Sequence, residues 1–177
     1  VTVKNKKQEK DFVLFPFELY KGCEYWVAPI IKEELESMDK SKNPVFQNAE
    51  AEFYLAYKDN KVVGRIAAIV NWVEVEEQKK NKLRFGWYDT IDDVEVSKML
   101  IEKVIDFGKS RKLDFIDGPV GFSNMDKAGL LIHGYDELNT MITWYHYPYQ
   151  KNHLKKLGLD ILAEWVEYKI KISPEED

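Results

Sequence analysis

The sequence contains little cysteine, no long apolar run and no excess of positive charge. Its one cysteine, Cys23, excludes an internal disulfide and suits a reducing compartment. No stretch approaches the roughly 20 consecutive apolar residues of a membrane-spanning helix, and residues 1–10 are too polar for a signal peptide. A net charge of -5 argues against a general nucleic-acid binder. We therefore predict a cytoplasmic protein with neither a membrane nor a nucleic-acid partner.

Signatures of metal and nucleotide sites are also missing. The histidines His133, His146 and His153 do not have metal-ligand spacing, and no Cys-x-x-Cys pair occurs. No Gly-x-Ser-x-Gly or Gly-x-x-x-x-Gly-Lys run occurs either. We predict no metal centre. His153 belongs, with three neighbouring lysines, to a basic helix face that is either solvated or attractive to an acidic ligand.

Aromatic side chains, in contrast, are abundant, with 5 Trp, 10 Tyr and 9 Phe among 177 residues. This composition excludes a disordered or low-complexity chain. The length suits a single domain with its own apolar core, which we place at residues 1–172. Residues 173–177 form a charged tail, at which a longer natural chain would continue.

The order of predicted elements indicates an α+β domain. Strand-forming residues at 52–57 and 62–70 flank turn residues and predict a hairpin. After a strand at 83–89, an apolar row at helical spacing predicts a helix over 93–110. Weaker patterns predict a helix from Lys7 that Pro16 breaks or ends near Phe15, and further helices at 30–38 and 148–157. They also predict strands at 1–3, 113–116, 140–145 and 160–172, and a solvated segment at 74–82. Together they predict a mixed, largely antiparallel sheet with helices on both faces.

Three stretches resemble the GNAT N-acetyltransferase superfamily. The hairpin strand Val62-Val63-Gly64-Arg65-Ile66 looks like the family's G-K-x-V-G hairpin, and the strand at 83–89 feeds a long helix. Lys156-Leu157-Gly158-Leu159 looks like the family's late helix-to-strand junction. More closely, the chain resembles the N-terminal half of a bacterial group of longer, uncharacterised GNAT-like proteins, through stretches at 15–22, 118–123, 129–132 and 147–149.

The resemblance implies an acyl-coenzyme A cleft between the strands 83–89 and 113–117, with acyl-CoA as co-substrate and an amine as acceptor. In the family the pantetheine arm pairs with a free strand edge. The pyrophosphate lies on free amides at the next helix start, which corresponds here to residues 90–94. The positions that correspond to the arm site are Phe85, Gly86, Trp87 and Tyr88.

Two departures from the family pattern favour an alternative. Residues 90–95 contain no glycine, and the carboxylates of Asp92 and Asp93 would repel a phosphate while serving well as helix caps. Leu154 stands where many members have a tyrosine that protonates the leaving thiolate. The alternative is a non-catalytic GNAT-like half that binds a small ligand or supports a second domain or partner. A third interpretation is a structural interaction module that forms a homodimer through an exposed aromatic patch.

Two clusters supply the candidate site residues. The first cluster consists of Tyr145, His146 and Tyr149, which are predicted to transfer protons. The same residues would also suit the end of a sheet, where tyrosines bury their rings and keep their hydroxyls in water. The second cluster consists of Ser123, Asn124 and Asp126. These residues follow a strand end, where ligands often bind, and are predicted to contact substrate. Alternatively, they serve as helix caps.

Overall fold

A computed structural model describes residues 1–140 and 142–171. The α-helices in this part of the chain are α1 (Lys6–Leu19), α2 (Ile31–Met38), α3 (Val94–Ser110) and α4 (Pro148–Lys156). Pro44–Gln47 forms a 3-10 turn and Val73–Glu77 a π-helical turn. The strands are β1 (Ala49–Lys58), β2 (Lys61–Asn71), β3 (Lys82–Thr90) and β4 (Phe115–Asp117). They form one sheet in the order β1-β2-β3-β4, antiparallel except for the parallel pair β3–β4. The predicted α+β class is confirmed.

The predicted β1–β2 hairpin is also confirmed. Its turn residues, Asp59 and Asn60, have φ angles of 51° and 62°. Short polar side chains tolerate this left-handed conformation, and two such residues match the twist of the flanking strands. Residues 63–70 of β2 are buried throughout, because helices cover both faces of the sheet, as the continuous apolar run predicts.

Two apolar cores lie on opposite faces of the sheet. Phe12 and Val13 of α1 pack with Phe53, Leu55 and Ile69 on one face. On the other face, the apolar stripe of α3 packs against the alternate side chains of the same strands. That stripe consists of Val96, Leu100, Ile101, Val104 and Phe107. None of the described helices combines the length and apolar content that crossing a membrane requires.

Helix α1 continues through Pro16 to Leu19, so the predicted end near Phe15 was wrong. Proline lacks the N–H that would bond the carbonyl of Phe12, one turn earlier. Arg65 of β2 supplies the missing donor, since its Nη1 lies 3.0 Å from that carbonyl oxygen. A contact between residues far apart in the sequence therefore satisfies the group that proline leaves unpaired.

Two predicted strands near the end of the chain do not form in the described residues. Residues 140 and 142–145 form no strand, with a bend at 142–143. The Asn139 amide donates to the carbonyls of Thr140 and Thr143 at 3.1 and 3.2 Å, which occupies acceptors that a strand would use. Met141 lies outside the described residues. Residues 160–171 are exposed and have no backbone hydrogen-bond partner in the described part of the chain, so strand propensity alone does not make a strand there. Residue 172, also predicted as strand, lies outside the described part.

Candidate functional site

An open cleft of about 620 Å³ lies between α2 and the segment 121–127 that follows β4. The aromatic side chains of Trp87 and Trp144 line it, with ring centroids 6.1 Å apart. Trp87 also packs in the α1-side core, so the cleft opens on that face of the sheet. Polar and charged groups at the cleft wall include Glu34, Ser123, Asp126 and Lys127.

A smaller recess adjoins the cleft and shares Glu34, Lys127 and Trp144 with it. Its volume of about 20 Å³ suits a single water-sized group. The recess is lined by the buried ion pair of Arg65 and Asp89. The site therefore joins a wide cleft, with aromatic and charged side chains on its wall, to a narrow charged recess.

Asp89 is the centre of the hydrogen bonds around the recess. Its Oδ2 accepts from Arg65 Nε at 2.7 Å, and its Oδ1 accepts from the Tyr20 hydroxyl at 2.6 Å. Burial, together with the neighbouring Asp89 carboxylate, raises the pKa of Tyr20 well above its ordinary value. Tyr20 therefore keeps its proton and donates a hydrogen bond to Asp89.

The predicted substrate contacts lie in a tight turn at the cleft. Ser123 N–H donates to Asp126 Oδ2 at 2.8 Å, and Met125 N–H donates to Ser123 Oγ at 3.1 Å. These bonds lie within the turn, and no helix follows it at residues 127–132, so the helix-cap interpretation was wrong. Ser123 and Asp126 line the cleft. Asn124 instead accepts from Arg84 Nη2 at 2.6 Å, which ties the turn to β3.

The turn is anchored by a second buried ion pair. Arg84 is 2% exposed and donates through Nε and Nη2 to both carboxylate oxygens of Glu74, at 2.7 and 2.8 Å. Its Nη1 donates to the Gly121 carbonyl at 3.3 Å. The prediction that the segment from Glu74 is solvated was wrong at Glu74, which is 5% exposed in a π-helical turn. Pairing with Arg84 is what allows this carboxylate to be buried.

The predicted proton-transfer residues are held by backbone groups. The Tyr145 hydroxyl donates to the Tyr135 carbonyl at 3.0 Å, and the Tyr149 hydroxyl donates to the Thr90 carbonyl at 2.8 Å. His146 is 1% exposed, and burial lowers its pKa to about 4, so the ring is neutral at pH 7. Tyr145 lines the recess, whereas His146 and Tyr149 line neither the recess nor the cleft. Their catalytic roles stay predictions.

The predicted arm site on β3 is buried, and several of its carbonyls have partners. The Phe85 carbonyl accepts from Val120 N–H at 2.8 Å, and the Tyr88 carbonyl accepts from the Gln150 amide at 3.4 Å. Trp87 is the residue of this stretch that reaches the cleft. An arm paired with β3 as in the resembled family requires the Val120 N–H and the Gln150 side chain to release these carbonyls. The role of the four residues stays a prediction.

Gly86 allows the chain after β4 to lie directly against β3. A Cβ at this position would lie 2.6 Å from the Val120 carbonyl oxygen, a backbone atom. We expect Gly86→Ala to lower the free energy of unfolding by about 1–3 kcal/mol, the range for forced overpacking. Denaturant unfolding measures this difference, and an unchanged midpoint would contradict the close approach.

A serine, a histidine and an aspartate meet at the start of α3, which sequence reasoning missed. Ser97 Oγ lies 2.9 Å from His153 Nδ1, and His153 Nε2 lies 3.1 Å from Asp92 Oδ1. Ser97 is fully buried and so cannot reach a ligand as a nucleophile. His153 is 4% exposed, so its assignment to a solvated basic face was wrong. The arrangement joins α3 to α4.

Sequence reasoning also missed two charged residues of the site, Glu34 and Lys127. Glu34 has no distinctive signal within the sequence of α2, and tertiary packing brings it to Trp87, whose Nε1 donates to it at 2.7 Å. Lys127 directly follows Asp126 in the irregular segment, which was the available signal. Among the described residues, no three His, Cys, Asp or Glu side chains come together as they would around a metal ion.

The chain is similar to two curated bacterial proteins. It is 31% identical over 170 residues to protein YghO of Escherichia coli (strain K12), which covers 94% of this chain and 43% of YghO. It is 28% identical over 138 residues to bacterial ceramide synthase of Caulobacter vibrioides (strain NA1000 / CB15N), which covers 77% of this chain and 36% of that protein. The chain thus spans less than half the length of either relative.

No model of a known protein family matches the chain, and no solved structure matches it.

Proposed function

We propose that this chain carries out or contributes to the transfer of an acyl group from an acyl thioester to an amine, with the cleft as the acceptor site. The observation that carries the proposal is the aromatic cleft ending in the charged recess. Such a site suits an amphiphile whose apolar body binds in the cleft and whose polar head lies at the recess. The similarity to a bacterial ceramide synthase supports this choice, because a ceramide is the N-acyl derivative of a long-chain amino alcohol.

The charges around the cleft suit an amine acceptor. Glu34 and Asp126 contribute carboxylates to its wall, and Glu33 adds a third. An ammonium group is attracted by carboxylates and by the faces of aromatic rings such as those of Trp87 and Trp144. The acyl donor we propose is acyl-CoA, the co-substrate implied by the resemblance to the GNAT superfamily.

The occupied edge of β3 favours a second candidate function. The Val120 N–H and the Gln150 amide already bond the carbonyls of Phe85 and Tyr88, where an arm would pair. Asp93 caps the start of α3 by accepting from Glu95 N–H at 3.1 Å. Occupied carbonyls on β3 and a capped start of α3 suit a domain that binds the amphiphile but performs no transfer. It would work with a second domain or a partner that binds the donor.

One experiment separates the two functions. The protein is incubated with acetyl-CoA or palmitoyl-CoA and a long-chain 2-amino alcohol, and amide and free thiol are quantified by mass spectrometry and a thiol reagent. Transfer gives amide and thiol in equal amounts. A binding domain gives neither, but the amino alcohol at about 100 times its Kd raises the free energy of unfolding by roughly 2.7 kcal/mol. No amide and no stabilisation would contradict both functions.

We expect Trp144→Ala to weaken binding of the amino alcohol about tenfold, a loss of about 1.4 kcal/mol, because one aromatic wall of the cleft disappears. Isothermal titration calorimetry measures the change in Kd. The matched control is Trp165→Ala, since Trp165 is 58% exposed and does not line the cleft. Equal Kd values for the two variants would place the ligand elsewhere.

A further inference from the structure

Lys127 lies on the wall shared by the cleft and the recess. Its side chain is half-buried, and it takes part in none of the ion pairs formed among the described residues. Lysines are seldom withdrawn from water without a partner, because desolvation of the ammonium is costly. An amine in this position is available to a group that enters the site.

The charged groups that face Lys127 come from three elements. Glu34 lies on α2, Arg65 on β2 and Asp89 on β3, and each is close enough to affect the charge on the amine. Asp89 is already bonded to Arg65 and Tyr20, and Glu34 accepts from Trp87. Asp126, the preceding residue, accepts from Ser123 N–H. These acids therefore have other donors, and the amine of Lys127 remains available to a ligand.

The surroundings shift Lys127 towards its neutral form. Desolvation by burial lowers the pKa of Lys127, with a further lowering by Arg65, and Glu34 and Asp89 oppose this shift without cancelling it. A lysine whose pKa lies closer to neutrality has more free amine at mildly alkaline pH, and a neutral amine can accept a proton.

We propose that Lys127 is the general base that removes a proton from the ammonium group of the acceptor. The inference rests on the acyl transfer proposed above and adds the residue that makes the acceptor nucleophilic. Lys127 lines both the cleft and the charged recess, where the polar head of the proposed amphiphile would lie.

The proposed step balances in atoms and charge. The acceptor R–NH₃⁺ gives one proton to Lys127 Nζ, and the freed lone pair attacks the thioester carbonyl carbon. The C–N bond forms, and the C–S bond breaks with its electron pair on sulfur. Sulfur takes the second amine proton as the amide forms, and Lys127 releases its own proton to solvent.

The test compares kcat and KM across pH for the wild type, Lys127→Met and Lys127→Arg. We expect Lys127→Met to lower kcat by about 10²–10⁴-fold, the usual contribution of a general base, with little change in KM. Wild-type kcat should rise with pH as Lys127 loses its proton, and this rise should vanish in the variant. The matched control is Lys155→Met, since Lys155 is exposed on α4 and lines neither pocket.

The variant Lys127→Arg distinguishes a role of Lys127 as a base from a role as a positive charge that only holds the ligand. Arginine keeps the positive charge but cannot give up its proton near neutral pH, so we expect it not to restore kcat. Restored activity, or an effect of Lys127→Met on KM alone, would overturn the proposal. An inactive wild type would overturn the proposed transfer together with this inference, whereas an active wild type with an unaffected Lys127→Met would overturn only the inference.

A further variant keeps the test decisive if Lys127→Met fails to fold. Lys127→Cys in a Cys23→Ser background is alkylated with 2-bromoethylamine, which rebuilds the side chain with a sulfur in its stem and a less basic amine. We expect activity to return and the rise of kcat with pH to move to lower pH. Activity that returns with an unmoved pH profile would contradict the proposal, because a purely structural side chain would not control that profile.

Discussion

Asp89→Ala is expected to lower the free energy of unfolding by about 3–5 kcal/mol, the cost of breaking a buried ion pair by removing one partner. The side chains of Arg65 and Asp89 are 4% and 7% exposed, so little water can replace the lost carboxylate. The change leaves the Arg65 guanidinium with the Phe12 carbonyl as its remaining hydrogen-bond partner and removes the acceptor of the Tyr20 hydroxyl. Denaturant unfolding followed by circular dichroism measures the loss.

The matched control for this prediction is Asp106→Ala. Asp106 is exposed on α3, and substitutions at such positions usually stay within about 0.5 kcal/mol. Equal losses for the two variants would show that Arg65 and Asp89 are not coupled. The double variant Arg65→Met/Asp89→Leu sharpens the test, because removing both charges should recover much of the stability that Asp89→Ala loses.

Local patterns predicted those elements whose partners lie nearby in the sequence. The hairpin follows from strand formers around a turn, and α3 follows from its apolar stripe and from Asp93 at its start. The wrong predictions concern residues whose local structure depends on a side chain distant in the sequence. Pro16 stays inside α1 because Arg65 bonds the Phe12 carbonyl, and Glu74 is buried because Arg84 pairs with it. Neither partner can be chosen from the sequence without knowing the sheet register.

The residues of the candidate site also fall into those predictable from local sequence and those that depend on tertiary packing. Ser123 and Asp126 were predicted because irregular segments after strand ends often carry ligands, and the structure places both at the cleft. Glu34 and Lys127 were missed because α2 and the segment 121–127 come together only through packing against Trp87 and its neighbours. The sequence predicts the loop that borders the site, whereas the opposite wall depends on where α2 lies against the sheet.

Both buried ion pairs connect the sheet to the walls of the site. Arg65 and Asp89 join β2 and β3 beneath the recess, and Arg84 joins β3 to the turn at the cleft. Burying charge in this way contributes little net stability compared with apolar packing, but an ion pair permits fewer alternative arrangements. We infer that the pairs hold the recess and the turn in one geometry, which links the stability of the sheet to the shape of the site.

The second large effect is therefore expected at Glu74. Glu74→Ala should lower the free energy of unfolding by about 3–5 kcal/mol, because it leaves Arg84 buried without its carboxylate partner. It should also weaken amino alcohol binding, since Arg84 holds Gly121 and Asn124 in the turn that carries Ser123 to the cleft. Unfolding curves and calorimetric Kd values, both at pH 7, measure the two effects.

Glu77→Ala is the matched control, because Glu77 lies in the same π-helical turn but is exposed. The dependence on pH gives a second readout. Burial raises the pKa of Glu74, but the hydrogen bonds and charge of Arg84, with a further contribution from Lys82, outweigh this effect and hold the pKa below its ordinary value of 4.5. The stability from this pair is therefore fully present above pH 4.5 and is lost as pH falls through the lowered pKa. The difference between wild type and Glu74→Ala should shrink over that range, and a constant difference would show that the Glu74 carboxylate does not stabilise Arg84.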